Sequence, residues 1–293
     1  MGITGTGNGG VLVAPPSCVP ARYGLLSVAE VEDRPDGHWQ AGIEYELETC
    51  EDLFVMTPKC NQVTPDLDKD VDGGTVSSDN YSDPFTLVAA YQCGTVGRLL
   101  SEAWEHAEIR LDRGEDRTIE RTFWTGKDKG GNDIRQSLGA NPDAVDLTPG
   151  AGAVSITDGV AILESWAGEN YPCQPIIHAQ RGLGVYMGQS RLVHSEDKKE
   201  LLVSGTGTRV VIGGGYLATG PNSAAAVAGE SWIYVTGSIK VIRGPKFFTP
   251  FRGEDSDAVD RQINNVTVFA ERTYAIEQDC ILGAVRVTLQ SCC

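Results

Sequence analysis

The segment that decides the fold comprises residues 93–124 and reads CGTVGRLLSEAWEHAEIRLDRGEDRTIERTFW. Its apolar residues recur every three or four positions, which is the spacing that forms one stripe along an α-helix. The stripe consists of Val96, Leu99, Leu100, Ala103, Trp104, Ala107 and Leu111. Gly114 interrupts the stripe, and Ile119, Phe123 and Trp124 restore it for about two turns. We therefore predict a long helix that lies across a core, with large aromatic rings at its C-terminal end.

The composition limits the classes of protein to which the chain can belong. It has 293 residues, of which 41% are hydrophobic, so it can bury the core of one large domain or two smaller ones. The formal net charge is -16, and no stretch clusters Lys and Arg as phosphate binding requires, so we predict no specific nucleic-acid binding. No run approaches the ~20 apolar residues of a membrane span. The glycine-rich start lacks the regions of a signal peptide, which predicts a cytoplasmic origin.

The eight cysteines include no C-x-x-C pair, so the spacing of a zinc site is absent. In a cytoplasmic chain, the favoured interpretation is that they are buried thiols acting as small hydrophobic side chains. Cys50 and Cys60 have nine residues between them in a stretch that reads as extended. They are the best candidates for a disulfide that forms late.

Motifs that could support catalysis or cofactor binding fail on their surroundings. Gly5, Gly7 and Gly10 match G-x-G-x-x-G, but no strand precedes them and no helix follows, as a dinucleotide site requires. The glycines at 213–215 could admit a phosphate, although a turn or tight packing is favoured there. The four histidines are scattered along the chain, at His38, His106, His178 and His194. We therefore predict no enzyme activity, no cofactor and no metal.

The order of the segments predicts an α+β fold. Residues 1–41 are rich in Gly and Pro, as in an arm that packs along other elements. Within residues 42–92, a turn-rich stretch separates the strand-like runs GIEYELE and LFVM from FTLVAAY. This predicts a long β-hairpin whose stem must rest on a sheet, a helix or another subunit. After the long helix and a glycine-rich connector, Ser155 and Asp158 match a helix capping box. Strands and helices alternate afterwards, and residues 264–289 contain two strands around a tight bend.

The turn-rich stretch of the hairpin carries an acidic series. Its spacing matches a calcium-binding loop, but Val71 and Ser77 occupy the positions where that loop needs Gly and Glu. A solvated face of an extended strand is therefore favoured over a weak cation site. The series consists of Asp66, Asp68, Asp70 and Asp72, with Lys69 as the only lysine among them.

The order of arm, acidic hairpin, long helix, mixed α/β body and closing strands resembles the major capsid proteins of tailed phages with the Hong Kong 97-type fold. The segments SITDGVAILESW and GTRVVIGGGYLATGP are similar to axial-domain units of that family, particularly in phages of actinobacterial hosts. AERTYAIEQDCILGAVRVTL is similar to the segment that returns from the axial to the peripheral domain. The resemblance extends over most of the chain from Gly42 onward.

This resemblance implies a division of the chain and a structural role. The parts are an N-terminal arm (1–41), an extended hairpin loop (42–92), a peripheral domain with the spine helix (93–153), an axial domain (154–243) and the return strands of the peripheral domain (244–293). Function would then be carried by interfaces between subunits. The residues expected to contact a neighbouring subunit are Asp66, Asp68, Lys69, Asp70 and Asp72.

The resemblance also implies partners and a location. We expect hexamers and pentamers that form an icosahedral head in the host cytoplasm, enclose DNA without binding it specifically, and remain in the virion. Separate scaffolding and portal proteins are expected partners, with a decoration protein as a further candidate, and no membrane is involved. The alternatives are an encapsulin-like nanocompartment shell, another virion component such as a tail or decoration protein, and an uncharacterised enzyme.

Overall fold

The computed structural model describes residues 18–19, 21–47, 50, 77–94, 99–196, 201–250, 259–260, 262 and 264–289. Strands and helices are intermixed in these residues, so the predicted α+β class is confirmed. The helices are α1 (Leu100–Thr125), α2 (Ile156–Asn170) and α3 (Leu183–Gln189). The strands are β1 (Glu30–Asp33), β2 (Ile43–Leu47), β3 (Ser77–Ser82), β4 (Phe85–Gly94), β5 (Val145–Asp146), β6 (Ile176–Gln180), β7 (Val193–Glu196), β8 (Leu201–Ser204), β9 (Arg209–Gly213), β10 (Glu230–Thr236), β11 (Ile239–Arg243), β12 (Phe247–Thr249), β13 (Val259–Asp260), β14 (Asn265–Gln278) and β15 (Leu282–Thr288).

The long helix begins later than the sequence predicts. α1 starts at Leu100, whereas the residues up to Gly94 continue strand β4 and pair with β14. The ladder extends over all ten residues of β4, and its backbone hydrogen bonds outweigh the helical periodicity at that end. At the actual start, the Glu102 carboxylate accepts a hydrogen bond from the Leu99 N–H, which satisfies one of the free donors of the first turn.

Gly114 does not end the helix, which continues to Thr125. The side chain that breaks the apolar stripe is Glu115, one turn after Leu111 and one turn before Ile119. Glu115 is buried and lies beside two arginines of the neighbouring sheet. The apolar stripe of α1 therefore contains a carboxylate at Glu115 because the sheet facing this position carries two arginines.

The first half of α1 packs on a six-stranded sheet. The longest strand, β14, pairs in turn with β11, β12 and β13 along one edge and with β4 along the other, while β1 adds to β11 in parallel. Trp104 lies edge-on to Phe248, with ring centroids 6.0 Å apart. His106 stacks on Tyr91 at 4.8 Å. These contacts confirm the predicted helix across a core.

The second half of α1 packs against a seven-stranded sheet, whose order is β5-β15-β10-β6-β9-β8-β7. The ring of Trp124 lies 4.9 Å from that of Tyr216 and 5.0 Å from that of Tyr234, measured between centroids. The Phe123 ring lies 6.0 Å from His178. The aromatic rings predicted at the end of the helix therefore join it to the core of the second sheet.

Helix α2 covers the face of the seven-stranded sheet formed by β10 and β15. The predicted cap is confirmed, since the Ser155 hydroxyl accepts a hydrogen bond from the Asp158 N–H at 3.1 Å. Buried side chains of α2, such as Leu163, share one core with Ile233 and Val285 of the sheet. Within the described ranges, no helix is both long and apolar enough to cross a membrane.

The two closing strands lie in different sheets. β14 belongs to the six-stranded sheet and β15 to the seven-stranded sheet, and residues 279–281 join them. In the same way, β10 lies in the seven-stranded sheet and β11 in the six-stranded sheet, and Gly237 and Ser238 join them. The expected division at residue 243 does not follow the sheets, because β11 belongs with the six-stranded sheet and β15 with the seven-stranded one. The predicted bend, at residues 279–281, therefore leads the chain from one sheet to the other.

The extended hairpin also differs from the prediction at its stem. β2 pairs antiparallel with β3 in a separate two-stranded sheet. The run FTLVAAY, expected in the stem, instead forms β4 of the six-stranded sheet. The run LFVM at residues 53–56 lies outside the described residues.

Candidate functional site at the hairpin base

The hairpin is attached to the six-stranded sheet at its base. The Tyr45 hydroxyl of β2 donates a hydrogen bond to the Gln278 carbonyl at 3.1 Å and accepts one from the Gln278 N–H at 3.3 Å. The buried Ser82 hydroxyl of β3 donates to the Ile276 carbonyl at 2.7 Å. Both contacts use backbone groups of β14, so the last residues of that strand set the position of the hairpin.

The chain enters the hairpin through Gly42. Its φ of +128° lies in the region that favours glycine, and a Cβ at this position would overlap the hydroxyl of Tyr81 on β3. Just before and after it, Trp39 and Ile43 pack in a small apolar cluster with Ala275 of β14. The entry point is therefore fixed by close packing on both sides.

Arg135, in the connector after α1, holds the other strand of the hairpin. Its guanidinium lies 4.6 Å from the ring centroid of Tyr81, which is a cation–π distance. Its backbone N–H donates to the Asp83 carboxylate at 2.9 Å, and its side chain pairs with the same carboxylate at 3.8 Å. The Tyr81 hydroxyl donates to the Ala41 carbonyl at 3.1 Å. The connector and the hairpin entry therefore both fix the position of β3.

A disulfide joins the hairpin to the chain beyond β14. Cys50 is bonded to Cys280, which lies 230 positions later in the sequence, with 6.3 Å between their Cα atoms. The sequence prediction that Cys50 pairs with Cys60 is corrected here, because a cysteine forms one disulfide at a time. Cys60 lies outside the described residues. The pairing follows from the position of the hairpin along β14, which brings two distant segments within disulfide reach.

The chain crosses between the two sheets at residues 237–238 and again at residues 279–281, and these two crossings meet at one hydroxyl group. Tyr171, at the end of α2, donates to the Asp279 carboxylate at 2.7 Å and accepts from the Ser238 N–H at 2.9 Å. The crossings also bond to each other, since the Asp279 N–H donates to the Ser238 carbonyl at 2.9 Å. A Cβ on Gly237 would lie 2.8 Å from the Cβ of Asp279, so close approach requires glycine there. We call Tyr171, Gly237, Ser238 and Asp279 the junction.

A charge network joins the first strand, the helix and the six-stranded sheet. Arg243 binds both carboxylate oxygens of Asp33, at 2.6 and 3.0 Å, and its guanidinium lies 3.5 Å from Glu115. Arg272 lies 3.6 Å from Glu115 and 3.7 Å from Asp33. The hydrogen bond from Arg243, with the nearby charge of Arg272, holds the pKa of Asp33 below its usual value. The buried Glu115 is thus compensated by two cations.

Comparison with known proteins places this geometry in a recognised fold. No family model matches the sequence, and no curated protein matches it. The capsid of the native GTA particle matches with a TM-score of 0.53 at 12% identity, over 94% of this chain and 96% of that one. The capsid of Ralstonia phage GP4 matches with a TM-score of 0.54 at 8% identity, over 95% and 94%. A structure from Mycobacterium phage Adephagia gives 0.51 at 13% identity, over 93% and 94%.

This is the Hong Kong 97-type capsid fold. The agreement covers nearly the whole of each chain, while the sequence identity is low. The resemblance inferred from the order of segments is therefore confirmed at the level of the fold. The assignment of the long helix as the spine helix and of residues 42–92 as the extended loop stays a prediction.

The capsid fold leaves one strand edge open in the described part of the chain. There, β4 pairs with β14 along one edge only. Its sequence, FTLVAAYQCG, has no charge and no proline, which are the usual means of protecting an exposed edge. A cleft of about 870 Å³ lies beside β4 and α1, and its polar lining includes Arg110, Asp128 and Lys129. This edge is a second candidate contact surface.

The glycines at 213–215 serve packing, as the favoured interpretation predicts. Gly215 lies on the backbone of α1, where a Cβ would overlap the Arg117 carbonyl and lie 2.7 Å from the Arg121 N–H nitrogen. Its own N–H donates to the Glu120 carboxylate at 2.8 Å. The site is therefore filled by protein rather than open to a phosphate.

The four histidines lie on separate elements, and His178 is fully buried. Its Nδ1 lies 2.9 Å from the Tyr216 hydroxyl and its Nε2 lies 2.9 Å from the Thr236 hydroxyl. Because Thr236 donates its proton to the Gly237 carbonyl, Nε2 carries the hydrogen and Nδ1 accepts from Tyr216. Burial lowers the pKa of His178 to about 3. The ring is a neutral structural link rather than a base open to substrate.

One group of three metal-ligand side chains occurs among the described residues, namely Cys50, Asp279 and Cys280. The two sulfurs are bonded to each other. The Asp279 oxygens accept hydrogen bonds from the Tyr171 hydroxyl and the Cys280 N–H. The donor atoms are thus engaged, so this arrangement does not present a metal site.

The predicted contact residues of the hairpin remain predictions. Asp66, Asp68, Lys69, Asp70 and Asp72 lie outside the described residues. Sequence reasoning missed Tyr45, Ser82, Tyr171 and Asp279, which build the hairpin base and the junction. No local motif marks them, because each acts on backbone or side-chain groups far away in the sequence.

Proposed function

We propose that this chain is the structural protein of a tailed-phage head, which assembles as hexamers and pentamers into an icosahedral shell around double-stranded DNA. The observation that carries this proposal is the hairpin. β2 and β3 form a two-stranded sheet of their own, and its described anchors lie at its base. Two strands alone are marginally stable in water, so we infer that the hairpin beyond its base rests on a further surface. A neighbouring copy of the chain supplies that surface in a shell.

The open edge of β4 supports the same proposal. An uncharged strand of ten residues is a template for pairing with another chain, and soluble monomers avoid such edges. The cleft beside it mixes apolar and charged side chains, as the contact surfaces between subunits do. Contact with a second copy at this edge would cover the backbone groups that β4 leaves unpaired.

The buried ionisable groups favour a structural role over catalysis. Glu120 accepts hydrogen bonds from two backbone N–H groups, Glu115 pairs with two arginines, and His178 lies between two hydroxyls. Each of these groups has its partners inside the subunit. Catalytic groups need to face a substrate, so these residues are better explained as parts of the fold.

The charge of the chain fits a wall that encloses DNA without holding it. With a net charge of -16, the subunit neutralises few phosphates, so the genome is free to move along the wall. Assembly in the host cytoplasm leads to a protein of the virion. Scaffolding, portal and decoration functions then belong to separate proteins.

The proposal is tested by removing the outer hairpin while keeping its base. Residues 51–76 are replaced by a short Gly/Ser linker, which leaves Cys50 and strands β2 and β3 in place. We expect the wild-type protein, alone or with a scaffold, to form megadalton particles or capsomers of five or six copies by size-exclusion chromatography and electron microscopy. The variant should retain the circular-dichroism spectrum and melting curve of the subunit but form no stable shells.

A matched control is the double substitution P149S/A151S in an exposed loop, which should assemble as the wild type does. A wild-type protein that stays monomeric under every assembly condition contradicts the shell proposal. Equal shell yield from the variant without residues 51–76 contradicts the role of the hairpin. Shells that form but enclose protein cargo instead of DNA identify a nanocompartment.

A further inference from the structure

The hairpin base has three attachments that follow one another along the chain. Ser82 bonds to residue 276, Tyr45 bonds to residue 278, and Cys50 bonds to Cys280. The attachment points are every second residue, from the end of β14 into the crossing between the sheets. The first two attachments are hydrogen bonds, and the third is covalent.

The third attachment lies directly beside the junction. Asp279, next to Cys280, accepts the hydrogen bond from Tyr171, and the Cys280 N–H donates to the other Asp279 oxygen at 2.9 Å. The disulfide thus connects the hairpin to the residues at which the two sheets separate. Breaking it removes the covalent link to the junction and leaves the non-covalent contacts of the hairpin base in place.

The disulfide is placed where small molecules can reach it. Cys280 is exposed and Cys50 is half-buried. An exposed disulfide is open to attack by a thiolate, whereas a buried structural disulfide is protected. The bond also joins residues that a reducing cytoplasm would keep as thiols. Its state therefore depends on the redox surroundings of the protein.

We propose that Cys50 and Cys280 form a reversible latch. When the disulfide is closed, it fixes the hairpin to the junction; when it is open, the hairpin is held only by non-covalent contacts, such as those of Tyr45, Ser82 and Arg135. Closure uses a small-molecule disulfide such as oxidised glutathione. One cysteine thiolate attacks it, releasing one thiol and forming a mixed disulfide, and the second thiolate then displaces the other thiol. Two protons and two electrons leave the cysteines, and one glutathione disulfide becomes two thiols.

The pairing is tested first, on the unassembled full chain, so the result does not depend on shell formation. Cleavage by trypsin places each cysteine of interest in a separate peptide: Cys50 in 23–59, Cys60 in 60–69 and Cys280 in 273–286. After incubation with oxidised glutathione and blocking of free thiols, we expect peptide 23–59 joined to 273–286 by mass spectrometry. Dithiothreitol should separate them. Peptide 23–59 joined to 60–69, or free Cys50 under oxidising conditions, overturns the proposal.

The second measurement reports the hairpin itself. Lys59 and Lys69 are the trypsin sites between β2 and β3, and the rate of their cleavage in the undenatured subunit is the readout. We expect cleavage to be several-fold slower in oxidised than in reduced protein. C50S and C280S should be cleaved at the reduced rate under both conditions.

C173S is the matched control, because Cys173 is an exposed free cysteine outside residues 42–92, and it should keep the full redox response. The comparison of oxidised with reduced wild type needs no variant, so poor folding of C50S or C280S would leave the test intact. Equal cleavage rates in the two redox states of the wild type overturn the latch, even where the disulfide itself forms.

Discussion

The carboxylate of Glu120 accepts a hydrogen bond from the N–H of Gly215, at 2.8 Å and 95 positions later in the chain. Its other oxygen accepts one from the Leu25 N–H at 3.0 Å. Burial raises the pKa of Glu120, while the two N–H donors favour its charged form. One buried side chain of α1 therefore joins the N-terminal segment to the loop after β9.

The first prediction concerns the close approach of this loop to α1. Gly215→Ala places a methyl group against the Arg117 carbonyl of α1. The clash is relieved only if the backbone of the loop or of the helix shifts. We expect the free energy of unfolding to fall by about 3 kcal/mol, measured by urea denaturation. Gly214→Ala is the control: the nearest atom to its Cβ would be a Glu120 oxygen at 3.9 Å, so its stability should stay within about 0.5 kcal/mol. Equal losses in the two variants would contradict the assigned packing.

The second prediction concerns pH and His178. The native ring has a pKa of about 3 instead of 6.5, so between these values the unfolded chain binds a proton that the native state does not. The free energy of unfolding should therefore fall as pH drops below 6.5, by up to about 1.4 kcal/mol per pH unit from this residue. Urea midpoints between pH 5 and 7.5, above most carboxylate titration, measure it.

His178→Gln should flatten this slope, because the amide does not titrate. His194→Gln, at an exposed position on β7, is the control and should keep the wild-type slope. An unchanged slope in His178→Gln would show that another group causes the pH dependence.

The third prediction concerns the junction. Tyr171→Phe removes the hydroxyl that accepts from the Ser238 N–H and donates to the Asp279 carboxylate, so the backbone donor and the charged acceptor each lose a partner. We expect a loss of about 2 kcal/mol in the free energy of unfolding. Amide hydrogen exchange at residues 237–238 and 279–281 should become faster. Tyr186→Phe on α3 is the control, and its exchange at the junction should remain as in the wild type. If Tyr171→Phe changes neither the free energy of unfolding nor the exchange, the Tyr171 hydroxyl does not connect the two crossings.

Elements set by local patterns were predictable from the sequence. The cap at Ser155 and the aromatic end of α1 depend on residues within one or two helical turns, so a short window contains the information. The start of α1 was not predictable in this way. Residues 93 and 94 read as part of the helical segment, but their partners in β14 lie far along the chain, and only the folded sheet brings them together.

The same reason explains the errors at the candidate site. Cys60 is the nearest cysteine to Cys50 in sequence, whereas the actual partner, Cys280, depends on the pairing of the hairpin with the end of β14. The bend between the closing strands was predicted, but the contact of Asp279 with Tyr171, at the point where the two strands enter different sheets, was not. Neither contact leaves a trace in neighbouring residues.

The length of α1 has a mechanical consequence for the subunit. At 26 residues it extends about 39 Å, with Trp104 against one sheet and Trp124 against the other. If one sheet rotated relative to the other, one half of α1 would lose its packing, because a continuous helix cannot bend to keep both contacts. In the proposed shell, copies at non-equivalent positions are therefore expected to differ in the segments outside the two sheets, such as the hairpin, and to keep the two-sheet body unchanged.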